Sequence, residues 1–380
     1  MPFKKGQYGY DFQIIQEKFS TIELVAESSR VVLAPELQGR VMTSTTSGKE
    51  GFSFGWVNHE LLKSDNRSEQ FNAFGGEERF WLGPEGGQFS VYFEEGKPMQ
   101  MANWKVPAAL DIMPWEVQEV MPEMATFYKE FSLKNYSGTK FKLAVTRRVG
   151  IIFPDEIADI LKVEIGPSVK SVAYESLNQV KNTGEQDWNR QTGLLSIWML
   201  SMYNPSPGVT IVVPFKKEGT GPKVKDDYFG NIPADRLKIA DGVAFFKADG
   251  KQRSKIGISP ERALPVLGSY DTQNRCLTIL ETTINPEATA YVNSEWEECQ
   301  QEPFKGDVIN AYNDGPLGNG AQLGPFYELE SSSEALALQV GEARFHVQRT
   351  YHFEGSEDDL NRISQKILGV SLQTIKEAFD

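Results

Sequence analysis

A chain of 380 residues with 40% hydrophobic and 24% charged residues can bury a large core, as one large β-domain or as two domains. Its formal net charge of -13 opposes binding to DNA, RNA or an anionic membrane surface, whose affinity comes largely from Lys and Arg neutralising phosphates. Two cysteines (Cys276, Cys299) in no CxxC or Cys/His spacing, and three histidines (His59, His346, His352), assemble neither a zinc site nor a recognisable serine triad.

In chain order, strands are expected at residues 21–26, 30–33 and 40–45, then, after an irregular segment, at 89–93, 126–133, 141–149, 172–180 and 194–202. Further strands are expected at 210–215, 243–247, 255–258, 263–270, 276–283, 308–312, 326–330 and 343–353. The last alternates cleanly, with Phe345, Val347, Arg349, Tyr351 and Phe353 on one face and Arg344, His346, Gln348, Thr350 and His352 on the other. Asn204-Pro205, Gly221-Pro222 and Asp241-Gly242 punctuate the runs as turns. Only the C-terminus reads as helix. Leu360, Ile363 and Ile367 follow a Ser356 cap and stop at Gly369, and Ser371 caps a second helix carrying Leu372, Ile375 and Phe379. The expectation is an all-β domain of antiparallel sheets over residues 1–355, with a helical extension at 356–380 packed on it.

No apolar run is long enough to span a bilayer, so no membrane insertion is expected. The opening MPFKKGQYGYDF has charge but no apolar run behind it, so no signal peptide is visible. The cytoplasm is the default location, with the periplasm or secretion open if a leader has been removed.

Two stretches carry candidate chemistry. In residues 326–331 the period of two puts Glu328 and Glu330 on one side and Tyr327 and Leu329 on the other. Carboxylates aimed one way from a sheet call for water, a hydrogen-bond network or a ligand; a solvated sheet face is the plainer alternative. Residues 72–87, NAFGGEERFWLGPEGG, place Arg79, Trp81 and Glu85 within one short loop between glycine pairs. Sugars are held by such mixtures, with aromatic faces stacking on ring C–H groups and charged side chains bridging hydroxyls. Alternatively, Phe80 and Trp81 fill the core and Arg79 pairs with a nearby acid.

ELQGRVMTSTTSGKE, FGGEERFWLGPEGG, the strand SIWML leading to TIVVPF, and NAYNDGPL followed by GPFYELESSSEALALQVGEARFHVQRTYHF resemble, in order, the landmarks of galactose mutarotase-like proteins from about Glu36 to Phe353. That superfamily includes aldose 1-epimerases, and the resemblance implies a β-supersandwich with a cleft for a sugar or oligosaccharide ligand. In aldose 1-epimerases a glutamate late in the chain, in a Leu-Glu segment before a Pro-Gly-Glu-like turn, takes the proton from the anomeric hydroxyl. Leu329-Glu330 followed by Val340-Gly341-Glu342 is the similar arrangement, which makes Glu330 the first candidate base and Glu328 the second. The same comparison points to Arg40 in QGRVM as a basic residue projecting into the site, with a surface salt bridge as the alternative. It also points to Trp198 in SIWML, and to Asn310, Tyr312 and Asp314 as partners for hydroxyls. A core position for Trp198 and turn formation at Asn313-Asp314-Gly315 compete with these.

The chain departs from the epimerase pattern in its centre. SLNQVKNTGEQDWNRQTGLLSIWML contains no histidine where the epimerases keep their general acid, and His59 in WVNHELL matches neither family position. Three functions stay open: an epimerase-like enzyme with a glutamate base and another acid, a sugar-binding protein without catalysis, and a glycoside-cleaving enzyme using Glu328 or Glu330 with Glu85. No metal and no other cofactor is assigned, since a cation beside Glu328 and Glu330 would lack a DxDxDG loop.

Overall fold

The computed structural model describes residues 2–318 and 320–380. Three antiparallel sheets make up its β-structure. A ten-stranded sheet runs in the order Leu237–Ala240, Val243–Lys247, Val209–Pro214, Val266–Asp271, Cys276–Thr282, Ala343–Glu354, Lys170–Asn182, Lys140–Ile152, Met124–Lys134, Glu116–Met121. A five-stranded sheet runs Ser254–Ile258, Ile309–Asn313, Tyr327–Ser332, Ser196–Tyr203, Arg79–Gly83. The third, Ile22–Ala26, Ser29–Ala34 and Arg40–Thr45, is a meander near the N-terminus.

Period-two alternation gives each of the two larger sheets two different faces. Leu329, Ile256 and Ala311 of the five-stranded sheet pack with Ile211, Leu280 and Phe246 of the ten-stranded one, forming one part of a sandwich core. Phe80, Leu82, Ile197 and Met199 pack with Leu143, Val145 and Tyr174 to form another. On the far face of the large sheet, Leu277, Ile279, Tyr351 and Phe353 meet Leu360 and Ile363 of the helix Glu357–Ile367 and Leu372 and Ile375 of the helix Leu372–Lys376. The side chains of Ser356 and Ser371 cap these helices, accepting from the backbone N–H of Asp359 (3.3 Å) and Thr374 (3.0 Å). Gly369 adopts φ +73° at the stop, the left-handed conformation glycine reaches without strain.

The strand Ala343–Glu354 inverts the usual polarity. Its polar set points inward: His346, Gln348, Thr350 and His352 are buried between the sheets, whereas Phe345 is 54% exposed. Three of these four inward groups find side-chain partners there; the Thr350 hydroxyl is buried without one among the described residues. Gln348 donates to Glu78 (2.8 Å) and Ser201 (3.1 Å), His346 meets Ser331 (2.8 Å), and His352 meets Glu77 (2.9 Å) and Thr278 (2.9 Å). Arg147 closes the layer, bonded to Glu78 (2.7 Å) and Asn178 (2.6 Å) with both members of the ion pair fully buried. Both cysteines are free.

Four local expectations are corrected. Tyr8–Gln16 is helical, but it has no side-chain cap and is buried on several sides, so no apolar stripe marks it. Pro154–Leu161 is helical too; Pro at its first turn and Glu156 reaching back to the Phe153 N–H (3.2 Å) are the signals that define it. Residues 89–93 form no strand, because Ser90 ties its side chain to the Glu85 carbonyl and the Tyr92 N–H and its own carbonyl to the Tyr136 N–H. Arg79–Gly83, expected in a loop, is an edge strand of the five-stranded sheet.

Candidate functional site

The outer face of the five-stranded sheet is the floor of a cavity of about 510 Å³. Strand register dictates what lies on it. One row across the sheet reads Lys255, Tyr312, Glu328, Met202; the next reads Gly257, Asn310, Glu330, Leu200, Arg79; a third reads Ser332, Trp198, Trp81. Except for Gly257, each of these side chains lines the cavity. Residues far apart in sequence meet because five strands present the same parity upward.

Two buried ion pairs hold the centre. Arg79 Nη2 donates to Glu328 Oε1 at 2.5 Å, with the side chains 3% and 7% exposed. Lys255 Nζ donates to Glu330 Oε2 at 2.8 Å, and Trp198 Nε1 donates to the same oxygen at 2.9 Å. Each cation also lies over an indole ring, Arg79 over Trp81 at 4.6 Å and Lys255 over Trp198 at 5.0 Å. Glu330 Oε1, and Nε and Nη1 of Arg79, are buried and make no hydrogen bond among the described residues. Such atoms call for a partner, which water or a polar ligand on the floor would supply.

Burial pushes the Glu328 carboxyl up to about 7, with Arg79 opposing and Glu330 adding to the rise. Burial would lower the Lys255 ammonium, but Glu330 and Glu85 outweigh it and raise the group, so it stays charged. Glu85 is raised by burial, with Lys255 opposing and Glu330 reinforcing. Asp307, at the far side of the cavity, is raised by burial to about 6 and accepts a hydrogen bond from the Tyr228 hydroxyl.

Most of the residues expected at the site line this cavity: Arg79, Trp81, Glu85, Trp198, Asn310, Tyr312, Glu328 and Glu330. Arg40 and Asp314 do not. Arg40 is 1% exposed beneath the GGEER turn, where it donates to the Gly75 carbonyl (2.8 Å) and the Gln38 side chain (3.0 Å). It belongs to the three-stranded sheet, and its side chain is spent on fastening that turn. Asp314 accepts from the Tyr312 hydroxyl (2.6 Å) and the Gly324 N–H (3.0 Å), serving the local chain path. None of the three histidines lines the cavity; His59 pairs with Asp11 at 2.6 Å on the N-terminal helix, and the other two lie between the sheets.

Sequence reasoning missed Lys255, Tyr228, Asp307, Trp104 and Trp296. Lys255 was legible in principle, as the one cation on a short strand whose neighbours Ile256 and Ile258 are core. The others arrive on irregular segments that only the fold brings near. Two glycines admit them: a Cβ at Gly257 would sit 2.0 Å from Asp307 Oδ2, and one at Gly86 would sit 2.1 Å from the Glu295 carbonyl of the segment that carries Trp296. Among the described residues no group of three or more His, Cys, Asp and Glu side chains could hold a metal ion. No helix among them is long and apolar enough to cross a membrane.

The family of unknown function DUF6786 matches residues 6–379. The chain belongs to that family. No curated protein sequence matches it. Among solved structures it is similar to a candidate aldose 1-epimerase from Escherichia coli K12, at TM-score 0.52 and 10% identity over 89% of this chain and 100% of that one. It is also similar to the Slr1438 protein from Synechocystis sp. PCC 6803, at TM-score 0.51 and 12% identity over 89% and 96% of the two chains. A galactose mutarotase-like protein from Lactobacillus casei aligns at TM-score 0.48 and 11% identity over 88% and 100%. The DUF6786 chain has the galactose mutarotase-like fold, an antiparallel sandwich with short helices.

Proposed function

We propose that this face binds a carbohydrate and that Glu330 takes the proton of a sugar hydroxyl there. The observation that carries the reading is Glu330 itself. One carboxylate oxygen is fixed by Lys255 and Trp198, while the other makes no hydrogen bond among the described residues, and the side chain lines the same cleft as the indoles. A carboxylate locked by one oxygen offers the other in a defined direction, the geometry a hydroxyl needs. Trp81, Trp104, Trp198 and Trp296 supply apolar faces for ring C–H groups, and the buried Arg79 Nη1 supplies a donor. The candidate aldose 1-epimerase among its fold relatives acts in the same direction.

Proton delivery to the ring oxygen falls to a group other than histidine; Glu85 and Asp307 are raised carboxyls that line the same cavity outside the two central ion pairs, and Glu85 is the first candidate. A mismatched or missing acid removes about a hundred- to ten-thousand-fold of rate, so anomer interconversion by this chain is slow compared with its sugar binding. The two glutamates of the Tyr327–Ser332 strand are each held in an ion pair, which disfavours their use as the free acid of a glycoside-cleaving pair. The test follows anomer interconversion of aldoses by NMR, beside calorimetric binding, for the native chain and Glu330→Gln. Weak catalysis lost in Glu330→Gln, with binding kept within about tenfold, is expected. Fast interconversion that survives the substitution would show that Glu330 is not the base.

A further inference from the structure

Resting on the carbohydrate reading above, we propose that the ligand is an unphosphorylated sugar of more than one ring, lying across the strands with its central ring over Glu328 and Glu330. Two separated aromatic groups motivate the length. On one edge, Trp81 belongs to the outermost strand and packs with Trp104 (centroids 6.3 Å apart), which in turn lies along Trp296 (6.3 Å). On the other side Phe229 meets Tyr312 (6.0 Å), on the strand Ile309–Asn313. The strands carrying Trp81 and Tyr312 are three steps apart in the sheet, about 14 Å at the usual inter-strand spacing. A single pyranose ring is much narrower than that and cannot stack on both groups. The carboxylates lie on a strand between the two, so a ring placed over them leaves room for a neighbour on each side.

Charge excludes the phosphate. Among the described residues seven acidic side chains line the cavity against three basic ones, and two of the seven, Asp227 and Glu295, pair with Lys225. Two of those three, Arg79 and Lys255, are already bonded to Glu328 and Glu330, and the third, Arg253, has its guanidinium carbon 4.0 Å from the centroid of the Phe229 ring. A phosphate group requires cations that are free to converge on it with several donors. Here it would enter a field of carboxylates and compete with buried ion pairs. Neutral or amino-bearing rings meet no such cost.

The experiment is a calorimetric series on the full chain. Its probes are glucose, galactose and N-acetylglucosamine, their 6-phosphates, and di- and trisaccharides built from each. For at least one ring type, Kd is expected to fall tenfold or more from mono- to trisaccharide, and each 6-phosphate is expected to bind at least tenfold more weakly than its parent. Phe229, 46% exposed, can be changed without threatening the core; Phe229→Ala is expected to weaken the trisaccharide more than the monosaccharide. Affinity independent of length, or tighter binding of a 6-phosphate, overturns this inference while leaving the carbohydrate reading in place. Binding of none of the probes overturns both.

Discussion

Replacing Arg79 by methionine tests the electrostatics of the cleft floor. Arg79 and Glu328 are 2.5 Å apart and 3% and 7% exposed, so removing the guanidinium leaves a carboxylate with little access to water. Breaking a buried pair from one side costs about 3–5 kcal/mol. At roughly 2.1 cal/mol/K of unfolding entropy per residue over 380 residues, that is a fall in Tm of about 4–6 °C. The carboxyl already stands at about 7, and losing its cation raises it further, so Arg79→Met is penalised most at pH 8 and progressively less toward pH 5, where a proton takes the cation's place. Glu328→Gln added to Arg79→Met is expected to recover most of the loss, because a neutral amide needs no counter-charge. The assay is thermal unfolding by circular dichroism of all four members of the cycle at pH 5, 7 and 8. A loss below about 1 kcal/mol, or one that does not shrink in acid, would refute the claim that burial of this carboxylate dominates.

Three further outcomes are expected. In the native chain the Glu328 carboxyl, raised from an ordinary 4.5 to about 7, contributes stability that is fully present below about pH 4.5 and lost as pH rises through about 7; Glu328→Gln should flatten that part of the pH–stability curve, and an unchanged slope would exclude this group as its source. Gly257→Ala puts a Cβ 2.0 Å from Asp307 Oδ2 and should cost about 1–3 kcal/mol by overpacking, measured by denaturant unfolding; a neutral substitution would mean that the Tyr228–Asp307 segment is free to retreat. Arg147→Met breaks the fully buried pair with Glu78 and should cost about 3–5 kcal/mol, yet leave the sugar affinity of the folded protein unchanged by calorimetry. Lost affinity in the still-folded variant would show that the inter-sheet network shapes the cleft.

Alternation in residues 326–330 placed Glu328 and Glu330 on one face and Tyr327 and Leu329 on the other, and the structure keeps that division, with the first pair over the cavity and the second in the core. Backbone geometry forces this once the segment is a strand, so sequence suffices. It did not suffice for Arg40, because parity says which face a residue takes but not which sheet the strand joins; Arg40 sits on the meander and Arg79 on the five-stranded sheet. The strand Ala343–Glu354 shows the same limit. Its two faces were legible, but that the His346–His352 set lies inside depends on Glu77, Glu78 and Ser331 arriving from elsewhere to satisfy it. Tyr228, Trp104 and Trp296 lie on segments with no period at all, where position follows from glycine contacts and turn bonds that only the folded chain displays.

The carbohydrate reading meets its most direct test in a crystal structure of the chain soaked with the tightest-binding sugar of the calorimetric series. The expected density is a sugar ring over the Tyr327–Ser332 strand, stacked on an indole of Trp81 or Trp198, with a hydroxyl within hydrogen-bond distance of Glu330 Oε1. A sugar bound anywhere other than this cleft, or an intact cleft that stays free of sugar at saturating concentration, would contradict it.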